Sequence, residues 1–362
     1  MSNPFREAFA AKIKSDWRKV QVNNFDHYRF WQSATALSPL RRLALRLGVD
    51  ELRGMYRTAR TFYNSKPIQW VYENMADDQS RELLIAVLAY RALGRKHVRL
   101  PLNNQNYWRD IAMIERDLLR TSCSQVVSGN GHLEDFDLTT FGKPIRLRGR
   151  LMNVMNAFVL QQYRLERNGC VIEVKSGDVV IDAGGCYGDT ALYFADRVGP
   201  TGVVLCYEFD PENLEVFHHN MDVNSDISNR VRLIERAVWN SAGQTLSFVG
   251  KGPSTRLVPA GAGARTVLTD TIDELSQRQA IDKIDFIKMD IEGAELNALK
   301  GAEQTIRRHK PKLAISLYHR LEHFWQIPQF IDELGLGYEF RIEHFTIHAE
   351  ETMLFAFVPK AH

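Results

Sequence analysis

The chain is predicted to be an α/β protein, a mostly parallel sheet closed by an antiparallel strand and preceded by an α-helical segment, on three observations. From Ser176 onward, apolar strand-like runs alternate with helical patterns. Residues 179–190, V-V-I-D-A-G-G-C-Y-G-D-T, read as a strand buried on both faces, a glycine turn and a helix start. The last two runs, 338–343 and 352–359, are joined by a loop too short for a helical crossover, so they must pair antiparallel.

Taken in order, Phe5, Phe9, Ile13 and Trp17 lie four apart, and Leu40, Leu43, Leu47 and Leu52 suit one face of later helices. Asp77 and Asp78 can cap a helix carrying Leu83, Leu84, Val87 and Leu88, which Gly94 ends in a left-handed conformation. A further helix covers 108–119. Residues 1–125 thus read as an α-helical domain, a substrate wall or the face of a homodimer. Residues 126–175 connect it to the carboxyl-terminal domain. They are broken by Gly129, Gly131, Gly142 and Pro144 and hold a strand pair around Asn168-Gly169.

Residues 176–362 form the ligand-binding domain. Strands at 203–207, 231–234, 284–290 and 313–318 alternate with helices at 211–221, after Gly293 (Leu296, Leu299, Ala302 and Ile306 on one side) and at 325–334. Residues 241–265, rich in Gly, Ser and Thr, are too long and loose for an ordinary connection and read as a mobile lid or a surface insertion.

Composition narrows the classes. With 44% hydrophobic residues the chain can bury a large core and a smaller one. No apolar stretch is long enough to span a bilayer, and the amino terminus lacks the order of a secretory signal, so cytoplasmic residence is the default. Cys123, Cys170, Cys186 and Cys206 are too scattered for a zinc knuckle or a disulfide framework. Residues 1–100 hold 18 basic against 9 acidic side chains, a local +9 within a net charge of +2. Such a segment suits a phosphorylated or acidic partner, an anionic surface or nucleic acid, although the charges are dispersed as on a solvated helical face. Nucleic acid is disfavoured, because no N-P-P-Y-type motif follows the fourth strand to flank a flipped base. The phosphate-cradling G-x-x-x-x-G-K-[ST] pattern does not occur in 241–265 either.

The predicted strands end on Asp182, Glu208, Glu235, Asp290, His319 and Glu343-His344, which one rim of the sheet would collect. Glu208 lies about twenty residues past the glycine turn, where nucleoside-binding folds place a carboxylate for ribose hydroxyls. Alternation puts Lys288 and Asp290 on one face of their strand, and Lys288 is expected to pair with Asp290 or Asp285.

The segments D-A-G-G-C-Y-G-D-T, C-Y-E-F-D-P-E-N, I-D-F-I-K-M-D-I-E-G-A-E-L-N-A-L-K-G-A and K-P-K-L-A-I-S-L-Y-H resemble FkbM-type methyltransferases. These are a branch of the S-adenosylmethionine-dependent class I enzymes with a Rossmann-like sheet. The resemblance implies methyl transfer to a hydroxyl of a sugar, glycan or related natural product, the acceptor being a small molecule or glycan. It would place Asp182, Gly184, Gly185 and Gly188 at the methionine end of S-adenosylmethionine, with Cys186, Tyr187, Asp189 and Thr190 also among the cofactor-binding residues. Glu208 would bind the ribose and Glu235 with Ala237 would border the adenine, with Phe209, Asn213 and Asp290 also among the cofactor-binding residues. Because an alcohol loses a proton as it attacks, a base is wanted. His319 leads, His344 follows, and Asp290, Glu292 and Lys288 complete the catalytic candidates. Asp290 and Glu292 are also hard oxygen donors that would suit Mg2+. The competing readings are a cofactor-binding scaffold with a degenerate active edge and an NAD-dependent oxidoreductase.

Overall fold

The computed structural model describes residues 3–29, 49–127, 131–250, 255–258, 261 and 265–359. Helix α1 (Pro4–Asp16) starts where the Asn3 side chain accepts from Arg6 N at 3.0 Å and Pro4 brings a preset φ. Phe5 and Phe9 are buried, while Ile13 and Trp17 pack at the margin of the core. The expected positions Leu40, Leu43 and Leu47 lie outside the described residues, as does the side chain of Leu52 in α2 (Val49–Tyr63). After α3 (Lys66–Asn74), α4 (Asp78–Leu93) begins with Asp77 Oδ1 accepting from Ser80 N at 2.7 Å and ends at Gly94, φ +75°. Helix α5 (Gln105–Met113) runs on through a π turn, Ile114–Leu118.

Next come three antiparallel strands, β1 (Leu119–Val127), β2 (Gly131–Asp137) and β3 (Arg146–Gly149). The short α6 (Leu151–Val154) leads to the hairpin of β4 (Leu165–Arg167) and β5 (Cys170–Ile172). Its turn is the expected Asn168-Gly169, both at positive φ, 52° and 77°, as a tight hairpin requires.

The main sheet is then built from β6 (Val179–Ala183), α7 (Asp189–Val198), β7 (Val203–Tyr207), α8 (Pro211–Asp222), α9 (Ser225–Ser228) and β8 (Val231–Ile234). The small strands β9 (Ala237–Val238), β10 (Thr245–Val249), β11 (Arg256–Val258) and β12 (Arg265–Asp270) precede α10 (Ile272–Arg278) and β13 (Phe286–Met289). The chain closes through α11 (Glu295–Lys300), α12 (Glu303–His309), β14 (Lys312–Ser316), α13 (His323–Glu333), β15 (Glu339–His344) and β16 (Thr352–Phe357). Seven strands lie in the order β15-β16-β14-β13-β6-β7-β8, and β16 runs antiparallel to both neighbours, as the short final loop demands. This is the expected mostly parallel sheet with an antiparallel closing strand.

Alternation divides the two faces. Ile181, Leu205, Ile287 and Ile315 share a core with Leu84, Val87 and Leu88 of α4, with Phe5 and Phe9, and with α10 to α13. Val180, Val204, Phe286, Ala314 and Phe355 pack on the other side with Leu192 and Phe194 of α7, Phe136 and Phe158. The amino-terminal helices therefore cover one face of the sheet.

The 241–265 segment differs from the loose insertion expected of it. Its described residues contribute to a second sheet, ordered β11-β10-β12-β9, with β10 antiparallel to both neighbours. T-L-S-F-V and R-T-V-L-T-D are β-branched and alternating, a pattern that the surrounding glycines obscure.

Candidate active site

Strand order reverses beside β6. The chain travels outward through β7 and β8 and then returns to the other side of β6 as β13. A crevice opens at such a point, beyond the carboxyl ends of the two strands. Gly184 (φ +91°) turns the chain there, and a Cβ on it would lie 2.1 Å from the carbonyl oxygen of Asp290. Gly185 and Gly188 serve packing instead: their Cβ atoms would meet Cys206 Sγ at 2.2 Å and Met221 Cε at 2.8 Å. Tyr187 is fully buried beside Leu133 and Val216. Of the turn expected to hold a cofactor, only Gly184, Cys186, Asp189 and Thr190 line the crevice.

Asp182 stands beneath this turn, not in the cavity. It is fully buried; Lys288 Nζ donates to its Oδ1 at 2.9 Å and Thr190 Oγ1 to its Oδ2 at 2.7 Å. Lys288 also donates to Gly184 O at 2.6 Å, so the pair pins the bend. The partner expected for Lys288 was Asp290 or Asp285. Parallel register sets Lys288 directly opposite Asp182 instead. Burial alone would pull the lysine pKa down, but the charges of Asp182 and Asp290 prevail and push it up to about 12.

Two cavities meet at the crevice. The narrower is lined by Glu208, Phe209, Asn213, Arg236, Ala237, Val238, Thr255 and Leu257, with Gly184, Cys186, Asp290 and Glu292 at its mouth. Those last four also line the wider cavity, of about 560 Å3. In the narrower one, Glu208 Oε1 accepts from Phe209 N at 2.6 Å and Asp210 N at 2.8 Å, and its Oε2 accepts from Asn213 Nδ2 at 3.2 Å. Burial pushes the Glu208 carboxyl up to about 7 against these bonds. Glu235 is exposed and absent from the wall, because the chain turns after Ile234 and Arg236 N donates back to its carbonyl at 2.9 Å.

The wider cavity gathers residues that no local motif marks: Tyr28, Arg29, Arg150, Asn153, Asn156, Gln162, Tyr163, Tyr318, Glu350 and Glu351. Arg29 is ion-paired with Glu351, which also accepts from Gln162 Nε2 at 2.6 Å. Asp189 Oδ2 accepts from Asn153 Nδ2 at 3.0 Å while its Oδ1 has no hydrogen bond, and burial pushes this carboxyl up to about 6.

At the junction, Asp290 accepts from Tyr318 OH at 2.9 Å and from Tyr163 OH at 3.3 Å. Glu292 holds a left-handed backbone, φ +52°, and reaches both cavities. His319 Nδ1 bonds Glu295 Oε1 at 2.7 Å, and Nε2 sits 3.5 Å from both Asp290 Oδ1 and Glu292 Oε1. Burial would pull the His319 pKa down, but the Glu295 charge and the adjacent carboxylates drive it well above the usual imidazole range. Asp290, Glu292 and His319 are thus brought together as expected. His344 is not among them: its Nδ1 meets Thr352 Oγ1 at 2.9 Å, Nε2 donates to His348 O at 2.7 Å, and burial holds it down at about 4. With both nitrogens engaged inside the sheet edge, it lies off the cavity wall.

Residues 182–342, which run from the carboxyl end of β6 through β13 and the junction, match the family described as the methyltransferase FkbM domain. The sequence likeness to FkbM methyltransferases is thus confined to this stretch. An FkbM methyltransferase from Methylobacillus flagellatus is similar in structure, at TM-score 0.52 and 21% identity, over 83% of this chain and 60% of that one. The chain therefore spans less than two thirds of that relative. Fibrillarin of Aeropyrum pernix with natively bound S-adenosyl-L-methionine aligns over 63% of this chain and 95% of its own, at 13% identity and TM-score 0.33. An O-methyltransferase from Bacillus cereus in complex with SAH aligns over 57% and 80%, at 12% identity and TM-score 0.34. No curated protein matches the sequence. Among the described residues, no helix is long and apolar enough to cross a membrane.

Proposed function

We propose that the protein binds S-adenosyl-L-methionine across this rim and transfers its methyl group to a hydroxyl of a sugar, glycan or related natural product. The observation that carries the reading is the pair of cavities sharing Gly184, Cys186, Asp290 and Glu292. A nucleoside in the narrower one would set its ribose against Glu208 and its base among Phe209, Arg236 and Ala237. The methionine end would then lie along Gly184, Cys186 and Thr190. The methyl group would be delivered at the junction, into a cavity whose amide, carboxylate, guanidinium and phenol groups suit a polyhydroxylated acceptor.

Methyl transfer is an in-line displacement: the acceptor oxygen forms a bond to the methyl carbon as the carbon–sulfur bond breaks, its electron pair neutralising the sulfonium. Holding oxygen, carbon and sulfur collinear supplies much of the acceleration. The hydroxyl proton must also leave. His319 was expected to take it, but its raised pKa keeps it as imidazolium at neutral pH, better suited to stabilising negative charge than to accepting a proton. Asp189, with a carboxyl near 6 and an oxygen free of hydrogen bonds, fits the task better.

Isothermal titration with S-adenosylhomocysteine tests the cofactor placement. Glu208→Ala removes charge-assisted hydrogen bonds to the ribose and is expected to weaken binding by about 10- to 100-fold. An unchanged Kd would remove the nucleoside from the narrower cavity.

A further inference from the structure

Asp210 is fully buried and lines neither cavity. Its Oδ1 accepts from Glu212 N at 2.9 Å and caps α8. Serine or asparagine would cap that helix as well, without burying a charge. The charge finds its partners in the second sheet instead. Thr255 Oγ1 donates to Asp210 Oδ2, and Arg265 Nη1 lies 3.4 Å from Oδ1. Beside them, the Phe248 ring meets that of Phe209 edge-on at 5.1 Å and carries the Arg265 guanidinium over it at 4.5 Å.

These contacts join two separate sources of the narrower cavity's wall. One is the turn after β7, with Glu208, Phe209 and Asn213. The other is the second sheet, whose outer strands β9 and β11 supply Ala237, Val238 and Leu257, with Thr255 just before β11. Asp210 also donates its backbone N–H to Glu208 Oε1 at 2.8 Å. We propose that Asp210 is a positioning residue for the nucleoside. Through Thr255 and Arg265 it fixes the second sheet against the turn, and through its own N–H it fixes Glu208, so one carboxylate sets both walls of the narrower cavity. This rests on the nucleoside placement given under Proposed function.

Isothermal titration of the full-length protein with S-adenosylhomocysteine, paired with urea unfolding, tests it. Thr255→Val removes the hydroxyl at nearly constant volume and is expected to raise Kd about tenfold, the effect of losing one hydrogen bond to a charged group. Thr255→Ser keeps the hydroxyl and should recover most of that factor. A merely structural contact would lower the urea midpoint of Thr255→Val and leave its Kd native. That result would overturn the proposal while the nucleoside placement stands, because the native protein and Glu208→Ala decide the placement separately. Equal losses of affinity in the valine and serine variants would overturn it too. Arg265→Met, expected to raise Kd about threefold, carries the test if the valine variant does not fold, and an unchanged Kd there would then overturn the proposal.

Discussion

Replacing Asp189 with asparagine is expected to lower kcat by about 10²- to 10⁴-fold, the range over which a positioned proton acceptor acts. Asparagine keeps the size of the side chain and can still accept from Asn153 Nδ2, which lies 3.0 Å from the native Oδ2. The fold and the affinity for S-adenosylhomocysteine should therefore survive within a few-fold. The pH profile carries the sign. The native carboxyl is held up at about 6 by burial and must be ionised to take a proton. At saturating methyl donor, kcat/KM for the acceptor should rise as pH increases through about 6 and fall away below it. Saturation with donor keeps the separate titration of Glu208, near 7, out of this measurement. A variant within threefold of native turnover would take Asp189 out of the mechanism.

The second large effect is on stability. Lys288→Ala strands the buried Asp182 charge, leaving it the Thr190 hydroxyl as its short hydrogen-bond donor, at 2.7 Å. Breaking one side of a buried ion pair costs about 3–5 kcal/mol, which would appear as a lower urea midpoint. Replacing both partners by apolar groups, Asp182→Leu with Lys288→Met, should recover most of that loss, because no charge is left unpaired. The Gly184 bend would still lack its donor, so the double variant is expected to fold but to bind S-adenosylhomocysteine poorly. The folded lysine pKa is raised to about 12 from an ordinary 10.5. Its contribution is thus fully present below about pH 10.5 and is lost as pH climbs through 12. Equal midpoints for the native and Lys288→Ala proteins at pH 7 would show that the pair does not hold the turn.

What the sequence makes legible is what short-range pattern controls. The buried run at β6, the carboxylates Glu208 and Asp290 after their strands, the Asp77 cap and the antiparallel last pair come from periodicity, capping chemistry and loop length. What it conceals depends on register and on distant segments. Asp182 looks like the first residue of the turn, yet it lies inside β6 opposite Lys288 and points its charge into the sheet. His344 looks like a rim residue, but its pairing with Thr352 across β15 and β16 engages it internally. Glu235 is lost to solvent by a single turn after β8. The wall of the wide cavity brings Arg29, Gln162 and Glu351 together from three distant parts of the chain, and no local signal foretells that. In 241–265 and just after it, glycines mask the alternation of β10 and β12.

The most direct test is a crystal structure of the protein with S-adenosylhomocysteine. The nucleoside should occupy the narrower cavity with its ribose hydroxyls on Glu208, and its sulfur should lie at the opening shared by Gly184, Cys186, Asp290 and Glu292. Density for the ligand elsewhere, or a crevice closed by its own side chains at saturating ligand, would contradict the account.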